Sequence, residues 1–339
     1  MIHYNLLLLS KNRSALMGVA MLWVMSFHLS PIRTYLPIIG SVSNIGYSGV
    51  DIFLFLSGFG LYYSLSNKDV SFSEYYKRRF YRIFPEFWLF LLCTFIISMN
   101  FDLKSVCLLL CCASTIGYWV GLPYFLWFIS CYVLFSFLYP LYYKQFKRYG
   151  IIVPICYILI GFVFTVLYGI VSVSYFNNIR GPLPLSLSRI PIFIIGSLFG
   201  FVTKEQIDSK LSIRLSSFFV FLMPLAIIVL FISFKFFSAY LWSCSLYWIP
   251  FIFITPSLCV FLSFLLDRTS RIVNIILSWV GNHSLELYIV HEYLNEQFLE
   301  WLGSYLNRNI ITLLVLLFSF LFAIALKRFS NVIIKRFVA

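Results

Sequence analysis

The sequence predicts an all-α polytopic membrane protein, with about ten transmembrane helices and one short re-entrant or surface helix. Three observations carry this expectation: 61% of the 339 residues are hydrophobic, only 11% are charged, and aromatic residues make up 21%. A water-soluble domain of this length has too few polar residues to cover that much apolar surface. The third observation also fits a membrane protein, because Tyr and Trp gather at the two membrane–water interfaces.

Apolar runs of about twenty residues, the length that crosses hydrocarbon, give expected spans at 14–30, 46–66, 80–99, 123–142, 150–174, 186–203, 214–236, 245–266, 272–293 and 308–326. The chain begins MIHYNLLLLSKNRS, with its short apolar run ahead of Lys11 and Arg13. A cleavable signal peptide has the opposite order. The first span is therefore expected to anchor the chain. The ten-span count with both termini cytoplasmic leaves six of the 25 Lys and Arg outside or near the outer face, namely Arg33, Lys104, Arg180, Arg189, Lys235 and Arg308. The rest fall inside, as cytoplasmic loops rich in Lys and Arg require of a multi-pass protein of the inner (plasma) membrane. Counting segment 104–121 as a span would move Lys144, Lys147 and Arg148 outside, so it is expected to be the re-entrant or surface helix. No hydrophilic stretch approaches the ~100 residues of a separate domain. Residues 1–339 are thus expected to form one membrane-embedded domain without internal repeats.

The formal net charge of +13 lies in short clusters between spans. That pattern reads as topology or as a grip on anionic head groups, and not as a nucleic-acid surface. The eight cysteines lack a CxxC pair and lack His at metal-ligand spacing. They read as apolar fillers, and no metal site is expected.

His28 and Asp51 stand in successive apolar runs, where hydrocarbon normally excludes ionisable groups. The first span runs outward with His28 near its outer end, and the second returns with Asp51 near its outer start. Trp127, Arg189 and His291 with Glu292 fall toward the same face, while Lys77, Arg78, Arg79 and Arg82 cluster inside, ahead of Pro85. Bland readings stand beside these. His28 could be a structural histidine, the basic cluster a positive-inside anchor, His291 an interfacial polar end, and Arg189 the partner of a backbone or lipid group.

The strings GVDIF at 49–53 and LSGF at 56–59, followed by YKRRFYRIFP at 76–85, resemble the start of the acyltransferase-3 family of membrane acyltransferases. Leu126-Trp127-Phe128, RIPIFIIG at 189–196 and SLELYIVH at 284–291 are similar to later segments of that family. The resemblance implies a ten-helix membrane domain that transfers an acyl group, most often acetyl from cytoplasmic acetyl-CoA, to a hydroxyl of a surface glycan or its lipid-linked precursor. It also implies an Arg and a His in the first span with ten residues between them. His28 matches the His, while the Arg position falls on Met17 and Arg13 lies four residues earlier, on roughly the same helix face.

The chemistry of such a transfer uses these residue types. Neutral imidazole is the usual base near pH 7 for a sugar hydroxyl attacking a thioester, and Asp51 could fix the His28 tautomer. Whether His28 acts as base or is briefly acylated stays open. Trp127, Arg189 and His291 are candidates for contact with the oxyanion or the acceptor. Arg13, Lys77, Arg78, Arg79 and Arg82 are candidates for the coenzyme A phosphates. Expected partners are acyl-CoA as a donor substrate, a glycan acceptor and membrane lipids, with no bound cofactor and no nucleic acid. Two other classes stay open: a transporter or flippase for a glycolipid or small anion, and an assembly or sensory protein.

Overall fold

The computed structural model describes residues 6–29, 37–66, 71–120, 127–175, 182–205, 209–244 and 248–338, and every regular element among them is helical. Besides a 3-10 turn at Gly46–Ser48, the α-helices in chain order are α1 (Leu7–Lys11), α2 (Arg13–His28), α3 (Pro37–Asn44), α4 (Gly49–Ser66), α5 (Phe72–Ile97), α6 (Leu103–Ala113), α7 (Ile116–Trp119) and α8 (Trp127–Tyr149). They continue with α9 (Ile152–Tyr175), α10 (Pro182–Leu187), α11 (Ile190–Lys204), α12 (Ser209–Cys244), α13 (Ile249–Arg268), α14 (Arg271–Asn282), α15 (Ser284–Leu302) and α16 (Arg308–Val338).

Six segments among the described residues are long and apolar enough to cross a membrane: Gly46–Ser66, Phe72–Ile97, Leu185–Lys204, Arg214–Phe236, Ile249–Arg268 and Arg308–Arg336. The sequence suggested ten, and the difference has local causes. Helix α2 has 16 residues, about 24 Å of rise, which is less than the ~30 Å of hydrocarbon. Helix α8 ends in Lys144, Lys147 and Arg148, and the residues leading into it, 121–126, lie outside the described set. Helix α9 is 24 residues long, and only its part up to Tyr168 enters this count, because most side chains beyond it lie outside the described set. The expected span 272–293 is broken at His283 into α14 and α15. The run Gly281-Asn282-His283-Ser284 interrupts the apolar pattern there. Segment 104–121 folds as α6 and α7, with Thr115 between them at φ 62°. The loops after Ser30 and Tyr175, expected outside, fall outside the described residues, as do Arg33 and Arg180.

The chain divides into two compact units. The first contains Met1–Leu16, Asp51–Val70 and Leu134–Ser278. Its centre is the pair α4 and α11, whose backbones touch. A Cβ on Gly58 would stand 2.0 Å from the Phe193 carbonyl oxygen, one on Gly196 2.0 Å from that of Phe55, and one on Gly200 2.7 Å from that of Phe59. Partner numbers rise together by four, so the helices run parallel, and small residues at that spacing permit their close approach. Helix α9 rests on α11 where Gly161 faces Ile190 and Pro191. The Ser257 hydroxyl of α13 donates to the Phe219 carbonyl of α12. The chain start is tied to α13 by Lys11 Nζ, 2.5 Å from Asp267 Oδ1, and by Asn12 Nδ2, which donates to the Ser263 carbonyl at 2.9 Å. At the C-terminal end of α11, Glu205 Oε1 accepts from Tyr62 Oη at 2.8 Å and Lys147 Nζ at 2.9 Å. The Lys147 and Tyr62 hydrogen bonds hold this carboxyl below its ordinary range.

The second unit contains Met17–Val50, Ser71–Val133 and Trp279–Ala339. Helix α5 starts on a capping sequence, Ser71-Phe72-Ser73-Glu74, in which the Ser71 hydroxyl accepts from the Glu74 amide at 3.1 Å. Helices α15 and α16 are antiparallel, since Glu286 meets Lys327 at 3.1 Å while Phe298 meets Phe318 with ring centroids 5.5 Å apart. Helix α5 runs parallel to α15. Glu86 feels the charges of Glu286 and Lys327, and one turn further on Phe90 packs on Tyr293 at 5.6 Å. Helix α6 is held to α5 by Trp88 Nε1, which donates to the Ala113 carbonyl at 2.8 Å. Near the end of α2, Gly46 and Gly49 lie so close to the Trp23 and Ala20 carbonyls that a Cβ would stand 2.3 and 2.7 Å away.

Candidate active site

Two of the three histidines among the described residues meet in the second unit. His28 is the last residue of α2, and His291 lies two turns into α15. Their rings stand edge to face at 5.1 Å between centroids. Glu292, the residue after His291, places Oε1 3.7 Å from His28 Nδ1. This is a charge contact and too long for a hydrogen bond. Its value rises when the imidazole takes a proton. His291 is fully buried, and its Nδ1 lies 2.9 Å from the Leu287 carbonyl oxygen and 3.0 Å from that of Tyr288. Both partners can only accept, so Nδ1 carries the ring hydrogen and Nε2 bears a lone pair. A nitrogen in that state cannot donate to an oxyanion. An aromatic wall adjoins the histidines, with Tyr288 packed on Phe128 at 5.0 Å, and Trp127 stands next to Phe128 at the start of α8.

The basic cluster belongs to the same unit, in the first three turns of α5. Lys77, Arg78 and Arg82 are exposed, and Arg78 pairs with Glu74 one turn back. Arg79 is half-buried over the Tyr75 ring at 5.7 Å, and its Nε has no hydrogen-bond partner among the described residues. Parallel packing of α5 on α15 sets the distance from these cations to the histidines. Phe90, level with Tyr293, lies eight to thirteen residues beyond the cluster, roughly 12 to 20 Å along the helix axis.

One family model, described as an acyltransferase domain of the acyltransferase-3 family, matches residues 15–328. The chain belongs to the acyltransferase-3 family. No curated protein and no solved structure matches it significantly. Membership makes acyl transfer its general chemistry. It also agrees with the six apolar helices in making the chain a membrane protein.

The remaining residues expected at the site of this acyltransferase lie in the first unit. Asp51, in the first turn of α4, and Arg189, the N-cap of α11, are 2% and 0% exposed, with Asp51 Oδ1 2.9 Å from Arg189 Nε. The parallel glycine contacts of α4 and α11 bring these two helix starts together. The Arg189 guanidinium also covers the Trp248 ring, 3.1 Å from its centroid. Within the first unit Asp51 thus pairs with Arg189, and within the second Glu292 places a carboxylate beside His28. Arg13 lies across α4, where its Nε donates to the Leu56 carbonyl at 3.2 Å and its Nη2 stands 2.6 Å from where a Gly60 Cβ would be. The sequence reading did not single out Trp248, nor assign Glu292 a role toward His28. The adjacency of Glu292 to His291 was the available signal, whereas nothing in sequence marks Trp248 apart from seven other tryptophans. Among the described residues, no three His, Cys, Asp or Glu side chains converge closely enough to hold a metal ion.

Proposed function

We propose that this acyltransferase moves acetyl from cytoplasmic acetyl-CoA to a hydroxyl of a cell-surface polysaccharide or its lipid-linked precursor, in the inner membrane with both termini cytoplasmic. The observation that carries the proposal is the His28, His291 and Glu292 group on the same unit as the α5 cations. Coenzyme A has phosphates at one end and the thioester at the end of a long flexible arm. Lys77, Arg79 and Arg82 suit the phosphates, and the axial distance to His28 suits the arm. In this reading the acceptor O–H bond breaks as its proton passes to the His28 imidazole. The oxygen bonds to the thioester carbonyl carbon, the C–S bond breaks, and the leaving thiolate recovers the proton from the imidazolium. Glu292 faces His28 Nδ1 and stabilises the imidazolium between those steps.

The test has two arms. Protein in nanodiscs given labelled acetyl-CoA is expected to release coenzyme A thiol in the presence of membrane glycan. Cells lacking the gene are expected to lose an acetyl mass from a surface glycan. Unchanged glycan masses together with no thiol release would refute the assignment.

A further inference from the structure

His291 is enclosed completely, yet one of its ring nitrogens is unanswered. Nδ1 serves the Leu287 and Tyr288 carbonyls, while Nε2 is buried and has no hydrogen-bond partner among the described residues. Buried polar atoms are nearly always bonded, so an unanswered acceptor beside a reactive histidine marks a place for a donor brought by a ligand. The His28 ring is 5.1 Å away. Resting on the reading of His28 as the base, we propose that His291 Nε2 binds the acyl acceptor. A single hydroxyl hydrogen cannot serve both imidazoles. The attacking hydroxyl gives its proton to His28, so His291 takes a second donor on the same molecule, a hydroxyl or amide N–H next to the attacked position. Neighbouring groups on a sugar ring have this pattern, and a simple monohydric alcohol does not. His291 thereby selects acceptors that present two adjacent donors.

Two substitutions separate the ring nitrogens. In His291→Asn the side-chain amide reaches the Nδ1 position and keeps a donor for the backbone carbonyls, with no acceptor at the Nε2 position. In His291→Gln the longer side chain carries its amide oxygen toward the Nε2 position. Membranes containing the cell's own glycan and matched for folded protein are supplied with labelled acetyl-CoA, and acetyl-glycan is compared with thioester hydrolysed by water. Loss of one acceptor contact is worth about tenfold. His291→Asn is therefore expected to lower the ratio of transfer to hydrolysis about tenfold, with His291→Gln recovering most of that loss. Nitrogen-15 histidine spectra of the wild type are expected to show the hydrogen of His291 on Nδ1. Transfer by the wild type with an unchanged ratio in His291→Asn, equal losses in both variants, or a hydrogen on Nε2 would each overturn the role of His291 and leave the acyltransfer assignment standing. A wild type without transfer would overturn both.

Discussion

Arg189 is a cation with no exposed surface, and in the structure it meets a carboxylate on one side and an indole face on the other. Removing one member of a buried ion pair leaves the other charge stranded, at a cost of about 3 to 5 kcal/mol. Arg189→Gln and Asp51→Asn are each expected to reduce the yield of folded protein sharply. The double variant is expected to recover part of the loss, because residues in contact couple strongly. Detergent melting curves of the four proteins measure that coupling, and simple addition of the two losses would deny it. Arg79 makes a different prediction, since its Nε lacks a hydrogen-bond partner among the described residues while its neighbour Arg78 is engaged by Glu74. Arg79→Gln should raise the KM for acetyl-CoA about tenfold with little change in kcat, the signature of a lost phosphate contact. The same substitution at Arg78 should change it less. Equal effects at the two positions would reduce the cluster to a positive-inside anchor.

At the scale of helices, the Asp51 and Arg189 pair depends on backbone contact between α4 and α11. Gly196→Ala puts a methyl carbon 2.0 Å from the Phe55 carbonyl oxygen, where backbone cannot yield without moving the helix. Overpacking of this kind costs about 1 to 3 kcal/mol or more. The variant should melt markedly lower, and Gly161→Ala, whose methyl carbon would stand 2.9 Å from the Pro191 ring, should lose less. The other end of α11 carries a pH term. Because the Glu205 carboxyl titrates below its unfolded value, its contribution is complete above the ordinary glutamate range and disappears as pH falls through the native value. The group is partly exposed, so the contribution is small, about 0.5 kcal/mol. Glu205→Gln should therefore melt slightly below wild type at pH 7, and the gap should close as pH falls through the native value of this carboxyl. A gap that widens on acidification would contradict this assignment.

For the molecule as a whole, class and family were legible because they rest on quantities that sequence states directly. Apolar run length marked the span Gly46–Ser66 to the residue and Ile249–Arg268 to within four residues, and the strings around Asp51 and Arg82 pointed to the family that matches residues 15–328. The singling out of His28 and His291 came from the same source, since polar groups in apolar runs stand out without any structure. Pairings were less legible. Asp51 and Arg189 are 138 positions apart, and only the register of α4 on α11, set by Gly58, Gly196 and Gly200, brings them together. The four-residue spacing of Gly196 and Gly200 was a readable sign of close helix approach, yet it does not name the opposite helix. The break at His283 was hidden because residues 272–293 remain apolar enough on average to resemble one span, even though Gly281, Asn282 and Ser284 flank the interruption.

The central claim is that acyl transfer by this chain runs through the His28 imidazole. Its most direct test is the rate of acetyl transfer from labelled acetyl-CoA to membrane glycan for wild type and His28→Ala, in membranes matched for folded protein. General-base catalysis contributes typically 10²- to 10⁴-fold, so the variant is expected to fall by at least about a hundredfold while its thermal melting stays near that of wild type. Retention of most of the wild-type rate by folded His28→Ala would contradict the account.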